Sequence, residues 1–168
     1  MKIILYMAIS ANGIIAKNND DTSWISDKEW GSYSSMVCKA GCLIVGRKTY
    51  YILTKQQEFA EFKDVMLVVV SKENFTTLAP NHVIAHSPKE ALKLLKDYEE
   101  VIVAGGGILN ASFLAENLID EIYLDIEPII FGNGIPIFKD KNFERKLKLI
   151  GQKKISDSEI QLHYQVLK

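Results

Sequence analysis

The chain has few cysteines, almost no net charge and no long apolar run, and each shortage closes off a class of protein. Cys38 and Cys42 are the only cysteines in 168 residues, too few for a disulfide-stapled scaffold. Their i,i+4 spacing would suit a metal, yet His82, His86 and His163 lie far away in sequence. No zinc-type ligand cluster is visible, so no metal is expected. Two reduced, ordinary thiols in a cytoplasmic protein are the simplest reading. A formal net charge of −1 gives no electrostatic footprint for nucleic acid or an anionic membrane. No apolar run approaches the roughly 20 residues that span a bilayer. The opening MKIILYMAIS has one lysine and no small-residue cleavage site after it. Its β-branched residues read as a first buried strand rather than a signal peptide.

What is present is an ordinary globular composition, 48% hydrophobic and 24% charged, over a length that buries a core as one domain, residues 1–168. Apolar runs alternate with helical patterns. The strands are expected at Ile3–Ile9, Cys42–Val45, Val65–Val70, His82–Ala85, Val101–Ala104 and Glu121–Ile126. The helices are expected at Asp27–Lys39, Lys48–Leu53, Pro88–Asp97 and Asn110–Glu116. In 88–97 the apolar stripe Ala91, Leu92, Leu94, Leu95 opposes Lys89, Lys93 and Lys96, with Ser87 as N-cap and Pro88 at the first helical position. The alternation predicts an α/β fold with a mostly parallel sheet covered on both faces. Leu147–Ile155 and Glu159–Leu167 flank Ser156-Asp157-Ser158 and predict an antiparallel hairpin closing one sheet edge.

Three features point to chemistry. VIVAGGGILNASF, residues 101–113, puts three glycines between a strand and a helix. Such a run lets backbone approach a ligand, and the helix N-terminus offers unpaired N–H groups to a phosphate. The same turn would also serve tight packing. IVGRKTY, residues 44–50, places Arg47, Lys48 and Thr49 at a second helix start, suited to a phosphomonoester. A third strand ends in Ser71-Lys72. Ligands of open α/β sheets bind outside the carboxyl ends of strands, where all three features would meet.

Together these segments resemble the dihydrofolate reductase superfamily, in the family's order from about residue 3 to 140. IVGRKTY is similar to the segment that holds the adenosine 2′-phosphate of NADPH, VIVAGGGILNASFL to its pyrophosphate turn, and VVVSK to the strand end beside the adenine. YMAISANGIIAKNNDDTSW resembles the first strand, the mobile loop over the nicotinamide and the tryptophan that ends it. ISANGIIA, SWIS and LAENLIDEIYLDIEPIIFGNGIPIF resemble more closely the riboflavin-pathway reductase domain and its small relatives, whose signature is Asp120-Glu121, Pro128 and Gly132-Asn133-Gly134 here. The resemblance implies a three-layer dihydrofolate-reductase-like fold and an NADPH-dependent hydride transfer to a small pteridine- or pyrimidine-like heterocycle. It implies Ala8 and Ile15 near the nicotinamide, and Gly46, Arg47, Lys48 and Thr49 at the 2′-phosphate. Ser71 and Lys72 fall beside the adenine, and Gly105, Gly106, Gly107, Ile108 and Leu109 around the pyrophosphate, with a cis bond at Gly105–Gly106. The riboflavin branch also implies a homodimer, for which alternating Ile160, Leu162, Tyr164 and Val166 would provide an apolar surface, or equally a core contact.

The family's carboxylate, five residues past the loop tryptophan, falls at Glu29. In an apolar cleft its pKa would rise, which suits proton traffic. Ser26-Asp27-Lys28-Glu29 is also a capping box. Asp27 and Asp125 are the competing catalytic candidates. Trp24, Trp30 and Tyr33 would wall a flat heterocycle, or serve as core, and Lys17–Ser23 would be a lid or a solvated turn. The chain departs from the families in carrying Lys63 where folate enzymes anchor the glutamate tail with arginine, Ala104 where the riboflavin branch commonly has Glu, and Asn12 for its Asp. The rivals are a non-catalytic nucleotide-binding module and a flavin-binding protein of similar layering.

Overall fold

Nearly every residue of the first strand, β1 (Lys2–Ser10), is buried, as a strand covered on both faces requires. A computed structural model describes the chain from Met1 to Lys168. The other strands are β2 (Ile14–Ala16), β3 (Cys42–Gly46), β4 (Met66–Val70), β5 (His82–Ala85), β6 (Glu100–Val103), β7 (Glu121–Glu127), β8 (Ile135–Pro136), β9 (Lys146–Lys154) and β10 (Ile160–Leu167). The helices are α1 (Asp27–Ala40), α2 (Arg47–Leu53), α3 (Pro88–Leu94) and α4 (Gly107–Ala115), with a 3₁₀ turn at Gln57–Phe62.

Eight strands form one sheet in the order β5-β4-β3-β6-β1-β7-β10-β9. The pairs from β5 through to β7 are parallel; β10 joins β7, and β9 joins β10, antiparallel. The C-terminal hairpin therefore closes the edge as expected. β2 and β8 make a separate two-stranded antiparallel sheet. Those two strands are too short to carry a period in the sequence, and neither was expected.

Alternation along β1 divides the core. Ile3 and Leu5 pack with Ala91 and Leu92 of α3 and Leu109, Phe113 and Leu114 of α4. Ile4 and Tyr6 pack with Tyr33 and Val37 of α1, Tyr50 and Leu53 of α2, and Phe62. This is the three-layer α/β arrangement. Within the hairpin, Val166 and Tyr164 pack against the first of these cores, so part of the stripe that a second copy would have covered is already used within the chain. No helix is long and apolar enough to cross a membrane, and no cluster of three or more His, Cys, Asp or Glu is arranged to hold a metal ion.

Candidate active site

Two of the four helices are capped by serine. Ser26 Oγ accepts the Glu29 N–H at α1, and Ser87 Oγ accepts the Glu90 N–H at α3. The other two, α2 and α4, begin at the carboxyl ends of neighbouring strands β3 and β6, with glycine at the N-cap and no side-chain cap. Their first-turn N–H groups thus face the strand ends without a capping acceptor, which is what an anion there requires. The two turns touch: Gly46 N–H donates to the Gly105 carbonyl at 2.8 Å. Gly105 and Gly106 are joined by a cis peptide bond, at the position the resemblance gave.

The three glycines serve separate ends. Gly105 has φ +87°, a conformation that L side chains rarely adopt. Gly106 leaves room, with Thr49 Oγ1 3.5 Å from where a Cβ would stand. Gly107 is pressed by protein: a Cβ there would lie 2.4 Å from the Pro136 carbonyl oxygen. Gly107 is therefore needed for packing of the β8 strap, which also bonds from Lys139 N–H to the Gly107 carbonyl at 3.1 Å.

The other residues expected around the cradle differ in exposure and in partners. The Leu109 side chain lies in the core, so only its backbone is available to a ligand, whereas Ile108 is exposed beside it. The Thr49 hydroxyl faces the glycine turn. The Ser71 hydroxyl is used within its own loop, donating to the Glu73 carbonyl at 2.8 Å and accepting the Glu73 N–H at 3.2 Å. Lys72 is exposed, and Ala8 and Ile15 are buried. Arg47 is ion-paired with Glu73, and Lys48 Nζ lies 2.9 Å from Asp20 Oδ2.

Across β1 from the glycine turn lies a buried acidic network. Met7 faces the turn, 3.4 Å from the Cβ position of Gly105, and the next residue back, Tyr6, points to the other face. Tyr6 donates its hydroxyl hydrogen to Asp125 and lies 2.9 Å from Ser32 Oγ. Gln161 Nε2 donates to Asp125 Oδ1 at 2.8 Å and to the Tyr6 oxygen at 3.0 Å. Asp125 is 1% exposed and Glu29 4%. Burial holds the Glu29 carboxyl well above the usual carboxylate range, with repulsion from Asp125, Glu127 and Glu159 adding to it. Burial also raises Asp125, against the opposing hydrogen bonds from Tyr6 and Gln161. Burial raises Glu127 as well, so the region disfavours the ionisation of Glu29, Asp125 and Glu127 together. The region can therefore hold a proton.

Glu29 is free for this because the capping box is completed by another residue. The Ser26 N–H, which Glu29 would accept in a capping box, donates instead to Glu127 Oε1 at 2.9 Å. Asp27 is exposed at the start of α1 and takes no part in the buried network; helical geometry turns it away from the face that Glu29 buries. The three aromatics do not form one wall. Trp24 packs edge-on against Phe131, while Trp30 and Tyr33 pack on Phe62 in the core. Tyr6, Glu127 and Gln161 were missed. Glu127 had a signal, since Asp125 and Glu127 alternate onto one face of β7. Tyr6 and Gln161 had none that distinguishes them from other strand residues.

The sequence profile of the family described as RibD C-terminal domain matches residues 1–160. The uncharacterised protein YwjB of Bacillus subtilis (strain 168) is 29% identical over 170 residues, 97% of each chain. Dihydrofolate reductase type 1 of Escherichia coli is 33% identical over 132 residues, 76% of this chain and 78% of that one. Among solved structures, a protein from Shewanella sp. PV-4 provisionally assigned to riboflavin biosynthesis superposes with a TM-score of 0.82 at 21% identity, covering all of both chains.

Proposed function

The chain belongs to the RibD C-terminal domain family, and from that premise we propose that it is an NADPH-dependent reductase of a small pyrimidine- or pteridine-like heterocycle. The observation that carries the reading is the placement of the two half-sites: the uncapped α4 turn lies on one side of β1 at Met7, and the buried Glu29–Asp125 network on the other at Tyr6. The N–H groups from Gly106 to Leu109 would hold the pyrophosphate, Arg47 and Lys48 the 2′-phosphate, and Ala8 and Ile15 the nicotinamide end. NADPH supplies the hydride. Glu29, whose burial favours the protonated carboxyl, delivers its proton to the heterocycle, and Asp125, held by Tyr6 and Gln161, lies beside it.

A non-catalytic nucleotide-binding module has no use for a carboxyl group buried at such cost, so Glu29 favours the enzyme. The pyrimidine is favoured over folate because Lys63, exposed before β4, lacks the bidentate fork that binds a glutamate tail. A homodimer is part of the same reading, with exposed Leu147, Leu149 and Ile150 on edge strand β9 as the surface left for a second copy.

The test is NADPH oxidation by the purified protein with dihydrofolate and the riboflavin-pathway ribosylamino-pyrimidine offered side by side. Turnover of the pyrimidine supports the reading. Tight cofactor binding without any turnover favours the retired module. The 2′-phosphate assignment has its own check: Arg47→Ala should weaken NADPH by about tenfold or more, the worth of a charge-assisted hydrogen bond, and leave NADH within about twofold. Equal losses for the two dinucleotides would refute it.

A further inference from the structure

Both cations assigned to the 2′-phosphate are already held by carboxylates of this chain, and the carboxylates come from two separate loops. Arg47 Nη1 is paired with Glu73, three residues past the end of β4. The Ser71 hydroxyl fixes the Glu73 backbone at both its N–H and its carbonyl, and from there its exposed side chain reaches Arg47. Lys48 Nζ is paired at 2.9 Å with Asp20, whose side chain is only 28% exposed although it sits in the Lys17–Ser23 loop. That loop is itself a tight turn. Asp20 N–H donates to the Lys17 carbonyl at 2.9 Å, Lys17 N–H to the Asp21 carbonyl at 3.0 Å, and Lys17 Nζ pairs with Asp21 at 2.6 Å.

Resting on the cofactor reading above, we propose that Glu73 and Asp20 are specificity-determining residues: built-in competitors for the 2′-phosphate that set how far the protein prefers NADPH to NADH. A 2′-phosphate must take Arg47 from Glu73 and Lys48 from Asp20. A ribose with a free 2′-hydroxyl leaves both pairs intact, and a carboxylate beside the ribose accepts a hydrogen bond from that hydroxyl. Solvent-exposed pairs of this kind are weak, so they tune the preference without abolishing phosphate binding. Asp20 adds a second consequence. Because it ties the Lys17–Ser23 loop to Lys48, the phosphorylated dinucleotide releases the loop from that tie and the unphosphorylated one does not.

The experiment is calorimetric titration of wild type, Glu73→Gln, Asp20→Asn and Arg47→Ala with NADPH and with NADH. Each carboxylate-to-amide change should tighten NADPH by about twofold to fivefold, the range of an exposed ion pair, and should not tighten NADH. Trp24 ends the loop, so in a Trp30→Phe background it is the sole tryptophan and reports on it. NADPH should change its emission more than NADH does. The two dinucleotides carry the same chromophore, so the difference isolates the phosphate, and it should vanish with Asp20→Asn. NADPH affinity unchanged or weakened in both amide variants overturns the proposal. Equal loss of both dinucleotides in Arg47→Ala removes instead the 2′-phosphate reading beneath it, and the proposal falls with that reading.

Discussion

Glu29→Gln should lose about 10²- to 10⁴-fold in turnover, the usual contribution of a positioned acid, while NADPH affinity stays within about twofold. The glutamine keeps the shape of the side chain and removes the ionisable proton. The same substitution should raise stability at alkaline pH. Burial and three neighbouring carboxylates hold the folded-state pKa of Glu29 well above its unfolded value. Between those two values the folded protein keeps a proton that the unfolded chain releases. Stability therefore falls as pH rises through that window and is fully present below the unfolded value. Glutamine has no proton to lose, so the variant escapes the fall. A tenfold difference in proton affinity between the folded and unfolded chains is worth about 1.4 kcal/mol, so the variant should melt higher at pH 8 by at least about 3–6 °C for a chain of this size. At pH 4 the two proteins should melt alike. Thermal melts at the two pH values, beside an NADPH-oxidation assay, check all of this. A variant that melts lower at pH 8 would mean that Glu29 is charged and paired in the folded state. Full turnover would place the proton donor elsewhere, with Asp125 the next to test.

Gly107→Ala and Gly106→Ala should fail in opposite ways. A Cβ at Gly107 would lie 2.4 Å from the Pro136 carbonyl oxygen, which is backbone and cannot swing aside. Either the β8 strap or the first turn of α4 must move. Overpacking of this kind costs about 1–3 kcal/mol, or about 2–12 °C in melting temperature, and cofactor affinity falls with the displaced turn. At Gly106 the nearest protein atom to a new Cβ is Thr49 Oγ1 at 3.5 Å, ordinary contact distance. That protein should melt like wild type yet bind NADPH at least about tenfold more weakly, because the methyl occupies the approach of the pyrophosphate. Melting curves with dinucleotide titrations separate the two. If Gly106→Ala binds NADPH as wild type does, the pyrophosphate does not lie against this turn.

Sequence alone determined the layering. Strand–helix alternation, the Ser26 and Ser87 caps and the near-continuous apolar runs each follow from local period and local hydrogen bonding, so the parallel sheet and its closing hairpin were legible in the residues themselves. The gathering of glycines and cations at one edge of the sheet was legible in outline for the same reason: parallel strands carry their carboxyl ends to the same side. Tertiary structure alone decided how those residues are used. Glu127, about a hundred positions along the chain, takes the Ser26 N–H and leaves Glu29 to the buried network. β8 presses on Gly107, and Glu73 and Asp20 claim Arg47 and Lys48. Each is a contact between segments far apart in the chain. Residue type and spacing fix which groups are available and which way an element turns them, but which partner arrives is settled only when the sheet brings distant strand ends together.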